Sequence, residues 1–341
     1  MSIAEAAPAA PAAATAAQRV PGLALVAAVA AAAPLLGWAT PFPPVLAALL
    51  MGFLLFPVAE HPYVQPGLEV AVRPVLRLGV GLLGAQISLQ QMHGVGPAVL
   101  AVALGSLCGT LGLGYWIARR LRLSMELACL TTAAVAICGA SAALAVAAVL
   151  PRTRSLERSS AACVAGITII GTMGMLAFPL VAAALELEPR AAGAFVGASL
   201  HEVVHAVGAG FSISDEAGAV ATTVKLVRVA CLGPIVLLIS LMARRGGRRA
   251  DGDRPPLMPW FLILFVSLAG LASWSAIPAV MLPALAEAAR FCLLMGIAAL
   301  GAKVSFRRLA AFGWTPSVVL VLQSIVIAGL SLGAVLLLKI A

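Results

Sequence analysis

The sequence predicts an all-α polytopic membrane protein of about nine to eleven membrane segments, with inverted repeats and two broken or re-entrant helices. Three observations carry that prediction. Of the 341 residues, 62% are hydrophobic and 10% charged, whereas soluble domains carry roughly 25% charged residues; the chain belongs in a bilayer, and a soluble enzyme is excluded. The apolar runs, rich in Ala, Val, Leu and Gly, do not alternate in polarity, so they read as helices rather than barrel strands, the other structure that satisfies its backbone in lipid. Two pairs of segments repeat within the chain.

In chain order, residues 1–20 read as a disordered Ala/Pro-rich tail whose lack of a basic start predicts no cleavable signal peptide. Residues 21–341 form one transmembrane domain. Its apolar runs fall at 22–39, 43–58, 70–90, 95–118, 124–150, 159–184, 191–213, 218–243, 257–275, 285–303 and 314–340, lengths suited to spans of about 20 residues. Lys and Arg collect in short loops on the cytoplasmic side. Such clusters are Arg119, Arg120 and Arg122; Arg152, Arg154 and Arg158; the basic loop 244–256 with Arg244, Arg245, Arg248, Arg249 and Arg254; and Lys303, Arg307 and Arg308. The net charge of +9 is therefore a topology signal with no nucleic-acid partner behind it, and the expected location is a bacterial inner membrane with the N-terminus cytoplasmic. The six cysteines lie inside apolar runs without metal-ligand spacing and read as packing residues.

The fifth segment has basic loops at both ends. The seventh has Glu186 and Glu188 before it and Asp215 and Glu216 after it. Simple crossings do not produce this pattern under the positive-inside rule. Each segment also carries a Gly-Ala-Ser tripeptide, Gly139-Ala140-Ser141 in the fifth and Gly197-Ala198-Ser199 in the seventh. Small residues allow close helix packing, but two copies with opposite flanking charge point to breaks, tolerated where protein or a watery cavity covers them. A second repeat aligns Arg73-to-Met92 with Arg290-to-Leu309, matching Arg73 with Arg290, Leu76 with Leu293, Gly79 with Gly296, Gly84 with Gly301 and Ser88 with Ser305. The expected repeats thus relate 70–118 to 287–340 and 124–184 to 191–243. Inverted repeats with discontinuous helices are typical of secondary transporters.

Ionisable groups inside membrane segments are functional candidates by default. The seventh segment has His201, Glu202 and His205; the eighth has Lys225 and Arg228 on one helical face; the third has Arg73, Arg77 and Gln86; the sixth has Thr168 and Thr172. His201-Glu202-Val203-Val204-His205 also matches the H-E-x-x-H zinc motif, but the third ligand of its extended form would fall on Phe211, and a catalytic zinc wants three protein ligands. Ser199 and Glu202 have the spacing of a capping box. A restarted helix directs free N–H groups and a positive dipole end at the midplane, which suits an anion. The expected substrate site is therefore Gly139, Ala140, Ser141, Gly197, Ala198 and Ser199 with Lys225 and Arg228. The basic pair either partners the substrate or neutralises Glu202 or Asp215. His201 and Glu202 are the expected coupling groups, with His205, Arg77 and Thr172 as secondary candidates. No catalytic residue, metal or cofactor is assigned. The partners are a small anion and the bilayer, and a homo-oligomer is compatible with the sequence. The competing readings are a cation–proton antiporter or symporter with Glu202 as ion ligand, and an intramembrane zinc protease.

Over residues 40–335, the chain resembles the sulfate exporter family of conserved hypothetical bacterial inner-membrane proteins, the YeiH type. The stretches that carry the resemblance are Leu76-Arg77-Leu78-Gly79-Val80-Gly81-Leu82-Leu83-Gly84, Ile137-Cys138-Gly139-Ala140-Ser141-Ala142, Gly197-Ala198-Ser199-Leu200-His201-Glu202-Val203 and Val224-Lys225-Leu226-Val227-Arg228. The resemblance implies a transporter with crossed broken helices, akin to cation–proton antiporters and bile-acid symporters. It also leads one to expect glutamine where this chain has His205, a single departure that creates the zinc-like motif.

Overall fold

The computed structural model describes residues 15–39, 43–86, 96–150, 154–245, 260–303 and 314–340. The start of the tail, most of the basic loop 244–256 and the outer ends of the second repeat (87–92 and 304–309) lie outside the described residues. Among those described, every regular element is helical. The chain runs through α1 (Ala16–Ala39), α2 (Pro44–Leu54), the short α3 (Phe56–Ala59), α4 (Gln65–Val70), a π-helical turn (Ala71–Val75) and α5 (Leu76–Leu82). Pro74 lies inside the π turn, where its missing N–H removes a donor from the ladder.

Then follow α6 (Gly96–Arg120), α7 (Met125–Ala133) with a π-helical turn (Ala134–Cys138), α8 (Ala140–Val149) and α9 (Arg154–Ala184). The remainder is α10 (Pro189–Ser199), α11 (Val203–Ile213), α12 (Asp215–Ala230), α13 (Leu232–Arg245), α14 (Trp260–Ser273), α15 (Leu282–Lys303) and α16 (Trp314–Leu337).

Local chemistry sets several boundaries. Pro44 and Pro189 occupy first-turn positions, where the absent N–H costs nothing. Ser124 and Ser214 are N-caps that accept from Leu127 N and Ala217 N, and Asp215 and Glu216 place negative charge at the positive end of α12. Arg122 (φ 62°) and Glu186 (φ 50°) close α6 and α9 in the left-handed conformation, with Leu123 N and Leu187 N reaching back five residues to Ala118 O and Ala182 O, the bond of a Schellman cap.

Six of the described helices are long and apolar enough to cross a membrane. Large apolar side chains such as Leu144, Met173, Leu237 and Ile325 face outward, which suits lipid. Exposed Trp116, Trp260, Trp274 and Trp314 stand at or just beyond helix ends, as in an interfacial aromatic belt. The chain is a multi-pass all-α membrane protein.

The helices pack as two bundles. One contains α1, α2, α4, α5, α14 and α15, and the other contains α6 to α13 with α16. The main contacts between them come from α11 against α2 and α15. In the first bundle the glycine contacts are reciprocal. A Cβ on Gly79 would collide with Cys292 and Leu293 of α15, and one on Gly296 would collide with Leu76 of α5. Gly84 admits the Phe265 carbonyl of α14, and Gly301 admits the Leu49 carbonyl of α2. The residues that match in sequence therefore make matching contacts.

Candidate functional site

The two Gly-Ala-Ser tripeptides flank helix breaks in the second bundle, and both breaks pack against α12. In the fifth segment the π turn ends at Gly139 (φ 66°, ψ −121°), a conformation open to glycine, and α8 starts at Ala140. A Cβ on Gly139 would also run into the Glu202 side chain. In the seventh segment α10 continues through the tripeptide to Ser199, and the break falls on Leu200 (φ −74°, ψ 149°) to Glu202 (φ −103°, ψ 154°). Gly197 stays helical; a Cβ there would meet the backbone of Ala221 on α12.

This corrects the expected capping box. Ser199 ends α10 instead of opening α11, its hydroxyl is buried without a partner among the described residues, and Glu202 makes no side-chain hydrogen bond that caps its own helix. The Glu202 carboxylate crosses to the other break. Its Oε1 accepts from Ala140 N at 3.4 Å and from Thr168 Oγ1 at 3.4 Å. The positive end of α8 therefore already faces a carboxylate of the protein.

Lys225 and Arg228 are completely buried, and their hydrogen bonds go to neither Glu202 nor Asp215. Lys225 Nζ donates to Ile137 O and Leu200 O, both at 2.7 Å. Arg228 donates from Nε and Nη2 to Ala136 O at 3.0 and 2.5 Å, and from Nη2 to Val135 O at 3.1 Å. From Nη1 it donates to Gly197 O, Ala198 O and Leu200 O at 3.2, 2.5 and 3.1 Å. The last carbonyls of a helix have no partner within it, and its C-terminus carries partial negative charge. Here two half-helices end side by side inside the second bundle, and one lysine and one arginine neutralise both.

Arg77 stands on the other side of the crossing. It reaches from α5 of the first bundle across to the second, where Nη2 donates to Ser141 Oγ at 3.4 Å, and it lies 5.9 Å from the centre of the Phe261 ring. Arg77, Ser141 and the first turn of α8 thus share one place, at the join of the two bundles.

The histidines diverge. His201 Nε2 lies 2.6 Å from Ser324 Oγ on α16, and His205 Nε2 lies 3.3 Å from Thr172 Oγ1 on α9. Because α11 begins only at Val203, His201 lies outside the helix that carries His205, and the shared helical face on which the zinc motif depends is not formed. Among the described residues, no group of three or more His, Cys, Asp or Glu is arranged to hold a metal. Gly171 makes room for His205, since a Cβ there would collide with the imidazole.

Sequence reasoning did not single out Ser324 or Gln323. Gln323 Nε2 donates to Gly114 O at 2.9 Å and Thr132 Oγ1 at 2.9 Å, tying α16 to α6 and α7. A polar amide inside the apolar run 314–340 was the available signal. A cavity of about 860 Å3 lies between the bundles. Val207 and Phe211 of α11 and Val220 and Thr223 of α12 face Leu293 and Leu294 of α15 across it, while Arg190, Asp215, Glu287 and Arg290 put charge on its wall.

Residues 21–320 match the family described as conserved hypothetical protein 698. The chain is 40% identical over 310 residues to a UPF0324 membrane protein of Rhizobium meliloti (strain 1021), covering 90% of each. It is 40% identical over 309 residues to the UPF0324 membrane protein TauZ of Paracoccus pantotrophus, covering 90% of this chain and 91% of the relative. A UPF0324 membrane protein of Chlorobaculum tepidum is 36% identical over 318 residues, covering 92% and 88%. No solved structure matches the chain.

Proposed function

The chain belongs to the conserved hypothetical protein 698 family of membrane proteins, and on that premise we propose that it is a secondary transporter. Its cargo is a small anion such as sulfate, an organic sulfonate or a carboxylate, carried by alternating access across the bacterial inner membrane. On this reading the chain is a carrier and not an enzyme. The observation that supports it best is the placement of two helix breaks inside one bundle, beside its join with the other. Broken helices that expose end charges at membrane depth are a costly arrangement, and transporters use it to hold an ion at a site that either side can reach.

The charges favour an anion. Lys225 and Arg228 are occupied with helix C-termini, so the cation left beside the start of α8 is Arg77. It shares Ser141 with the positive end of α8. An oxyanion that takes the place of Ser141 beside Arg77 meets a guanidinium and a helix N-terminus together, and bidentate Arg contacts and helix N–H groups both favour it. Glu202 already stands beside the turn and is the coupling group.

The test is uptake of labelled sulfate into proteoliposomes. Saturable uptake, indifferent to chelators and lost in Arg77→Ala, is expected. Uptake untouched by Arg77→Ala would place the site elsewhere, and uptake of a cation in place of any anion would favour Glu202 as an ion ligand. Thermal-shift screening over sulfate, sulfite, sulfonates and dicarboxylates then ranks the substrate.

A further inference from the structure

Among the described residues, the hydrogen-bond donors around Glu202 and His205 do not suffice for their acceptors. The single hydroxyl proton of Thr172 goes to Thr168 O, at 2.8 Å. Thr172 Oγ1 therefore receives, and His205 Nε2 is the donor across their 3.3 Å contact. In that neutral tautomer His205 Nδ1 carries a lone pair, and this atom is buried without a hydrogen-bond partner. It faces Glu202 Oε2 at 3.8 Å. Both donors that reach the carboxylate, Ala140 N and Thr168 Oγ1, go to Oε1. Two acceptors thus face each other with no proton between them, in a place where an unmet acceptor is costly.

We propose that Glu202 and His205 together form a binding site for one exchangeable proton, held between Oε2 and Nδ1, and that this proton is the coupling ion. The inference rests on the reading of the crossing as a transport site and identifies what couples there. One O–H or N–H bond forms on the pair as one O–H bond of a hydronium ion breaks and leaves water, and no heavy-atom bond changes. His205 is fully buried while the Glu202 side chain is 16% exposed, so the proton enters through Glu202. Gaining it removes the carboxylate's charge beside the first turn of α8, so an incoming anion no longer meets a like charge there. One proton accompanies one anion.

The charged and titratable neighbours are Arg77 from α5 and Lys225 from α12, whose fields reach the carboxylate, with Cys138 at the end of the π turn and His201 beyond. His201 takes no part in the proton site. Ser324 donates its own proton to Leu320 O at 2.6 Å, so His201 Nε2 donates to Ser324 and anchors the break to α16.

The test is pH-difference infrared spectroscopy on the full chain in lipid vesicles. The protonated carboxyl band and the histidine ring band are expected to titrate with one common midpoint, and both to vanish in Glu202→Gln. In His205→Gln, whose amide still donates to Thr172, the carboxyl midpoint moves by more than about one pH unit, as expected for strongly interacting groups. Thr172→Val, which frees the imidazole, moves it as well, whereas His201→Gln leaves both bands in place. Two bands titrating independently, or a carboxyl midpoint unmoved by His205→Gln, would overturn the proposal. Sulfate uptake and these spectra fail separately. A wild-type protein that moves no anion but shows the shared band loses only the transport reading, and uptake without a shared band loses only the proton pair.

Discussion

The same three residues, Gly-Ala-Ser, do opposite work at the two breaks. In the fifth segment they open a half-helix. Gly139 is the hinge and Ala140 and Ser141 form the first turn of α8, with the Ala140 N–H directed at Glu202. In the seventh they close one, and the carbonyls of Gly197 and Ala198 are bound by Arg228. One break therefore offers a positive helix end to the join between the bundles, and the other has its negative end neutralised inside the protein. The glycines differ accordingly. Gly139 supplies a backbone conformation, whereas Gly197 supplies room for α12. A shared tripeptide marks a place of tight geometry without saying which geometry it is.

This contrast breaks most completely if the common neutralising group is removed. Arg228→Ala leaves carbonyls of both half-helices unmet, each costing about 1–3 kcal/mol. The expected outcome is loss of several kcal/mol and of monodisperse protein on size-exclusion chromatography. Arg228→Lys keeps the charge and loses the fork, so it is expected to recover part of the stability. Retention of wild-type thermal stability in Arg228→Ala would show that these carbonyls are satisfied otherwise.

A smaller effect separates the glycines. Gly139→Ala places a side chain in a sparsely populated conformation at about 1–3 kcal/mol and displaces Glu202. It is expected to abolish anion uptake while the protein still folds. Gly197→Ala pushes α10 from α12 and lowers the melting temperature, with residual uptake in whatever folds. Equal loss of uptake per folded molecule in both variants would erase the distinction.

The fold class was legible because hydrophobicity and loop charge act locally in sequence. The break at Gly139 was legible for a similar reason, since glycine beside small residues is a local signal. A break in the seventh segment was expected as well, but its place at Leu200–Glu202 was not, because none of those residues breaks a helix by itself. The extended stretch is held by partners distant in sequence, with Leu200 O bound by Lys225 and Arg228 and His201 set on Ser324. Lys225 and Arg228 stood out as charges inside the membrane, but their acceptors are backbone carbonyls, which every residue has and no sequence pattern marks. Arg77 ranked low as one of two arginines in the third segment; only the packing of α5 against the other bundle brings it to Ser141.

On the proposed reading the first turn of α8 faces an alternately open site, whereas the end of α10 at Ser199 is sealed. The most direct measurement is thiol accessibility in a cysteine-free chain carrying Ser141→Cys or Ser199→Cys, reconstituted in vesicles and treated with an impermeant reagent from either side. Position 141 is expected to react from both sides, more slowly with sulfate present, and position 199, buried beneath α12, from neither. Reaction at 199 as fast as at 141, or at 141 from one side only, would contradict the account.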